Sequence, residues 1–411
     1  MVPCILHPES CIPGGLSVAC TIEAMRRIYL DHNATTPVRT EVLEAMWPFF
    51  QERFGNASSI HVFGQDARAP MEEARAQVAG LINARPEEIY FTSGGTESDN
   101  LAIKGIAYAN RDRGNHIITT AIEHSAVLSS GAFLETQGFK VTYLSVDAYG
   151  LVDPNEVEQA ITERTILISM MHANNEIGTI QPIKKIGAIA QQHEVYFHTD
   201  TVQSAGKLPI DVEAMQVDLL SLSAHKIYGP KGVGAIYIRK GVEIEPTAHG
   251  GHHENNVRSG TENTAGIIGL GKAAELAAQD REGEYRHLIE LRDTLEKRIV
   301  DEVEDVQING HPTKRLPGTL NVSFYGAEGE SLLMSLDMKG MAVSTGSACT
   351  SGSIEPSHVL LALGLDPHTA LGSVRFSFGR DNTIADVDEV MAHLPGIVSR
   401  LRKMSAVMEH E

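Results

Sequence analysis

Between residues 89 and 238, short apolar runs alternate with amphipathic segments, and this alternation restricts the possible fold more than any other feature. Runs at 89–92, 117–120, 141–146, 165–171, 195–198, 219–222 and 235–238 have the length and composition of strands. Helical spacing appears between them, as in Leu101, Ala102, Gly105, Ile106 and Ala109. The run at 165–171 is apolar throughout, as expected of a strand covered on both faces. Strands alternating with helices predict an α/β fold with a mostly parallel sheet and right-handed crossovers. In such sheets ligands bind beyond the carboxyl ends of the strands. The polar residues that follow each run are therefore the place to look for chemistry. Thr96 is predicted to cap the helix after the first run, with Asp99 three residues on. Pro154 and Pro182 are predicted to open two more helices.

The pattern changes near Glu284, where a long charged helix is predicted to run to about Glu302. Strands near 320–324 and 373–378 and helices near 329–336 and 385–401 follow. The predicted organisation is a large domain over 45–283 and a smaller α+β domain over 284–411. A segment over 28–44 is expected to pack with the small domain. Residues 1–27 read as a disordered extension. Cys4, Cys11 and Cys20 lie there at a spacing that matches no common zinc pattern, and Met25 would make a natural start.

A net charge of −19 argues against non-specific binding to nucleic acid or anionic lipid. No apolar run approaches the ~18 residues of a membrane span. Four cysteines in 411 residues exclude a disulfide framework and fit a reducing cytoplasm.

Several post-strand residues each have two readings. Ser93-Gly94-Gly95-Thr96 is a glycine turn that can bind a phosphate at a helix N-terminus or merely reverse the chain. Lys226, just past the buried run at 219–222, is either a Schiff-base lysine or one snorkelling at the sheet edge. Asp200 can pair with a pyridinium nitrogen or cap a turn. His124 can stack on a ring and shuttle protons or be a satisfied surface histidine. Arg375 can hold a carboxylate or form a structural ion pair. His249, His252, His253 and Glu254 fit a polar loop better than a metal centre. The stretch 229–234 lacks the ending of a nucleotide-binding P-loop and reads as a tight turn. Cys349 lies among small polar residues at 344–353, so it is poorly placed for core packing and well placed as a nucleophile on a mobile loop, drawn over 344–357.

Taken together, the motifs resemble the cysteine desulfurases, pyridoxal-phosphate enzymes of the fold-type I, class V aminotransferase group. The resemblance rests on Tyr29-Leu30-Asp31-His32-Asn33-Ala34-Thr35-Thr36-Pro37, Phe91 to Ser98, Glu123-His124, His172 to Gly178, Asp200 with Gln203, Ser223 to Gly232, Arg258-Ser259-Gly260-Thr261, Ser344 to Ser351 and Arg375-Phe376-Ser377. It covers essentially everything from Ile28 to Leu401. The Thr-Gly-Ser-Ala-Cys-Thr-Ser stretch looks like the subgroup that serves nitrogenase maturation or general iron–sulfur assembly.

The resemblance implies that Lys226 carries pyridoxal phosphate as a Schiff base. It implies that Asp200 faces the pyridine nitrogen, Gln203 faces the ring hydroxyl and His124 stacks on the ring. Gly95, Thr96, Ser223 and His225 would hold the phosphate, with Thr261 arriving from the other subunit of a homodimer. Asn33, Asn175 and Arg375 would hold the substrate carboxylate, and Asn175 would also touch the cofactor. The implied reaction takes sulfur from L-cysteine onto Cys349 as a persulfide and releases alanine. The sulfur would pass to an iron–sulfur scaffold or sulfur-carrier protein, where Cys349 could also ligate a 2Fe–2S cluster, or on to tRNA thiolation. Two positions depart from the family pattern. Thr201 stands where Ala usually packs beneath the ring, and Ala57 where Pro is usual. The extra bulk of Thr201 is expected to tilt the cofactor.

Overall fold

The computed structural model describes residues 27–345 and 355–408. Cys4, Cys11, Cys20 and Cys349 lie outside the described residues. The strands are β1 (Ile28–Tyr29), β2 (Ile89–Thr92), β3 (His116–Thr120), β4 (Lys140–Leu144), β5 (Thr165–Met171), β6 (Tyr196–Asp200), β7 (Leu219–Ser223), β8 (Gly234–Ile238), β9 (Val306–Asn309), β10 (Thr319–Phe324), β11 (Met341–Ala342) and β12 (Ser373–Ser377).

The main sheet has the order β2-β8-β7-β6-β5-β3-β4. From β4 through β7 its pairs are parallel. β8 runs antiparallel to both of its neighbours. This is the mostly parallel sheet that the alternation predicts. β5 is buried along its whole length, which accounts for its apolar composition. Starting from β3, the chain adds β4 on one side and β5 on the other. The crevice at their carboxyl ends is the kind of switch point where such sheets bind ligands. The stretch 229–234 turns the chain between antiparallel β7 and β8, as the failed P-loop pattern implied.

Two helix starts differ from expectation. The helix Gly95–Ala109 begins one residue before Thr96, and Gly94 occupies the cap. Gly94 has φ 150°, a conformation open to glycine, and a Cβ on Gly234 would stand 2.7 Å from the Gly94 Cα. The chain therefore turns at the glycine, and the Glu97 carboxylate, not the Thr96 hydroxyl, accepts the Ser93 N–H at 2.6 Å. Asp99 is buried and takes no part in a cap. Pro182 is the cap of the helix Ile183–Gln192, one place earlier than expected.

A second core forms around the antiparallel sheet β12-β10-β9. The helix Thr264–Glu302 serves both cores. Ile267, Ile268 and Leu270 pack with the main sheet, and Leu288, Leu291, Leu295 and Ile299 pack in the second core. Ile28 and Leu30 also lie in that second core, and β1 pairs with β11. Residues 30–37 then cross back to the carboxyl ends of the main strands, where Thr36 bonds to His225. Among the described residues, no helix is long and apolar enough to cross a membrane.

Candidate active site

A cavity of about 340 Å³ opens at the carboxyl ends of β5, β6 and β7. The loop after β3 contributes His124, the loop after β5 Asn175, the end of β6 Asp200 and Gln203, and the turn after β7 His225 and Lys226. Gly95 and Thr96 open the helix after β2 onto the same space, and Ser223 ends β7 beside them. Asn33, Ser344 and Arg375 close it from the side of the second core. The strand order thus gathers residues that are far apart in sequence.

Lys226 lies on a short 3-10 turn, Ala224–Lys226. Its Nζ donates to the carbonyls of Asn33 at 2.5 Å and Ala34 at 2.7 Å. Asp200 is buried, and its Oδ1 accepts the Val202 N–H at 2.8 Å. Burial pushes the Asp200 carboxyl above its ordinary range, while His124 and Lys226 pull it back. An acid held this way gains from a cationic partner in the cavity. His124 caps the helix Ser125–Thr136, its Nδ1 accepting the Ala126 N–H at 3.1 Å. Burial holds the imidazole below its usual pKa. In the neutral ring Nε2 therefore carries the proton.

Arg375 is held on two sides. Nη2 meets Asp31 Oδ1 at 2.7 Å, and Nη1 donates to the Asn175 carbonyl at 2.9 Å. Its buried Nε has no hydrogen-bond partner among the described residues. A guanidinium held in place at the wall of a cavity suits an anion such as a carboxylate. The Asn33 amide donates to Asn175 O and Thr319 Oγ1, so this residue braces the same corner. At the opposite end, the first N–H groups of the helix Gly95–Ala109 lack helical acceptors and carry the positive end of the helix dipole. A Cβ on Gly95 would stand 2.6 Å from Val202 Cγ2, so glycine keeps this end open.

Beneath His124, Glu123 is buried and accepts N–H from Met171 and O–H from Thr120. Burial drives its carboxyl up to about 8. A raised folded-state value means that its contribution is fully present below about pH 4.5 and is lost as pH rises through 8. Glu123→Gln mimics the protonated acid. The expected result is little change in melting temperature at pH 5 and a gain of about 3 °C or more over the parent above pH 8, read by calorimetry.

Thr261 is exposed and does not line its own chain's cavity. The loop before it is anchored instead by Arg258 on Glu97 at 2.8 Å and by Arg75 on Glu254 at 2.8 Å. Glu254 also accepts the Phe91 N–H, so this carboxylate is occupied by structural contacts. Thr201 is a correction. Its hydroxyl donates to the Ser221 carbonyl at 2.7 Å, into the sheet, and it is fully buried. Val202, one residue on, lines the cavity. Thr201 is therefore absent from the cavity lining. Asp31, which braces Arg375, was part of a recognised motif with no role attached. An acid facing an arginine across the register Asp31↔Ser377 is visible only once β12 is in place.

The Aminotransferase class-V family model matches residues 28–390. A cysteine desulfurase IscS of Methanosarcina thermophila is 56% identical over 94% of this chain and 95% of its own. One from Dictyoglomus turgidum is 54% identical over 92% and 96%. Among solved structures, a NifS-like protein has a TM-score of 0.86 at 41% identity, covering 91% of this chain and all of its own. SspA in complex with cysteine has a TM-score of 0.76 at 40% identity, over 85% of this chain and 98% of its own.

Proposed function

We propose, since this chain belongs to the class-V aminotransferase family, that it is a cysteine desulfurase working with pyridoxal phosphate. The observation that carries this reading is the convergence of Lys226, Asp200, His124 and Arg375 on one cavity. The residues suit the cofactor. The helix N-terminus at Gly95 and Thr96, with Ser223 and His225, would hold its phosphate. Asp200 would face its ring nitrogen, Gln203 its ring hydroxyl, and His124 and Val202 would pack on the ring. When bound, pyridoxal phosphate supplies an electron sink for charge released at the substrate's Cα.

Arg375 would bind the carboxylate of L-cysteine, with Asn33 and Asn175 bracing it. Lys226 Nζ would take the Cα proton, and His124 would exchange a proton through Nε2. The Cys349 thiolate would then attack the substrate sulfur. An S–S bond forms, the substrate's C–S bond breaks, and the carbon fragment leaves as alanine after taking up a proton. Ser344 lines the cavity, and Cys349 is five residues further on. That length of chain reaches at most about 17 Å. The Cys349 persulfide would pass to an iron–sulfur scaffold or sulfur-carrier protein in the cytoplasm.

A homodimer fits the exposed apolar side chains of Trp47, Phe50, Phe54, Ile60 and Phe63, which a second copy would cover. Thr261 would then complete the partner's phosphate site. The testing experiment is alanine and sulfide release from L-cysteine with a thiol reductant, with the visible spectrum recorded on the same protein. A colourless protein that releases no alanine in the presence of pyridoxal phosphate would sink the reading. Asp31→Ala should raise KM for L-cysteine about tenfold with a smaller change in kcat, because it frees Arg375 without touching the reacting atoms. Steady-state kinetics check this.

A further inference from the structure

Lys207 has no part in the reaction described so far. It lies in the turn after β6, where the N–H groups of Ser204, Ala205, Lys207 and Leu208 bond back three or four residues. This winding brings Lys207 beside Gln203, four residues earlier. Lys207 Nζ donates to Gln203 Oε1 at 3.3 Å, and Gln203 Nε2 donates to the Asn33 carbonyl at 2.8 Å. An ammonium offers only donors and a carbonyl only acceptors. Both contacts therefore require the same orientation of an amide that could otherwise flip. Lys226 Nζ donates to that same Asn33 carbonyl. Lys207, Gln203, Asn33 and Lys226 thus form one hydrogen-bonded chain along the cavity wall.

The charged groups around Lys207 come from several elements. Lys226 after β7, Arg375 on β12, and His32 and His225 face it on the basic side, and Glu284 of the helix Thr264–Glu302 is the anion. Burial, followed by the nearby Lys226, draws the Lys207 ammonium down to about 7. The influence is mutual, because each ammonium disfavours the other's charge.

We propose that Lys207 is a positioning residue that fixes Gln203 as an N–H donor toward the cavity and lowers the proton affinity of the Lys226 nitrogen. The proposal rests on the cofactor reading above. With Oε1 held by Lys207, the amide offers the ring oxygen a hydrogen rather than a lone pair. That favours the anionic form of the oxygen. Below about pH 7, where it is protonated, Lys207 favours the same form and opposes a proton on Lys226.

The test is a spectroscopic pH titration of the pyridoxal-phosphate-loaded protein over about pH 5 to 9, which spans the range where Lys207 carries its charge, reading the midpoint of the visible band. Lys207→Met should raise that midpoint by about one unit, a tenfold gain in proton affinity. Lys207→Arg keeps both charge and donors and should stay near the parent value. Lys207→Gln, neutral but polar, carries the same expectation as Lys207→Met if the latter does not fold. An unchanged midpoint in the neutral variants, with cofactor bound, overturns the proposal and leaves the cofactor reading intact. A parent protein that takes up no pyridoxal phosphate overturns both.

Discussion

Lys226→Ala is expected to lower alanine formation from L-cysteine by about 1,000-fold or more. The amine lies on the turn that follows a fully buried strand and lines the cavity, and two carbonyls accept from it. Alanine removes this donor, although the Asn33 carbonyl keeps Gln203 Nε2, and leaves the cavity without the group that would bond the cofactor and move the Cα proton. The fold should survive, because the Lys226 side chain is only partly buried and the backbone of the turn is held by Thr36 and Ala224. Two measurements check this. Kinetics give the loss. Borohydride reduction of the loaded parent, followed by peptide mass spectrometry, should place the pyridoxyl group on Lys226, and the variant should show none at that peptide. Trapping on Lys207 in the parent would move the assignment to the other lysine.

Cys349→Ser should lower alanine output from L-cysteine by about 100-fold or more while leaving cofactor uptake and the visible band unchanged. A thiolate attacks sulfur readily. A serine hydroxyl at neutral pH is protonated and a poor nucleophile toward sulfur. The loss should therefore fall on the transfer step alone. In the parent, alkylation after a single turnover should reveal one extra sulfur on the Cys349 peptide. A variant that makes alanine at the parent rate would point to transamination or another amino-acid reaction on the same fold. This test also separates an active enzyme from a sulfur-relay subunit that has kept the fold, since such a subunit would make no alanine in either form.

Much of the site was legible because it follows strands. Asp200, His124 and Lys226 each lie within four residues of the end of a buried apolar run, and a parallel sheet places all such ends on one edge. Periodicity alone located them, and the family resemblance attached roles. Residues that work through another residue were not legible in this way. Asp31 meets Arg375 only because residues after β1 pair with β12, 344 positions away in sequence. Val202 replaced Thr201 at the cavity because the pleat of β6 continues one residue past Asp200 and sends the Thr201 hydroxyl to β7. The Thr96 cap failed because Gly94 takes a conformation and a close approach that a capping rule does not consider.

The sequence by itself determined the class of fold, the edge of the sheet where the cavity lies and the polar side chains that gather there. Local hydrophobic period and residue chemistry carry that information without any long-range contact. The tertiary structure alone decided how those groups are held. It fixed Arg375 between Asp31 and the Asn175 carbonyl, gave His124 Nδ1 to a helix cap and set the Gln203 amide against Lys207. Each of these depends on the distance and direction of one polar atom relative to another. No spacing along the chain encodes that, because the partners meet only after the sheet and the second core have closed on one another.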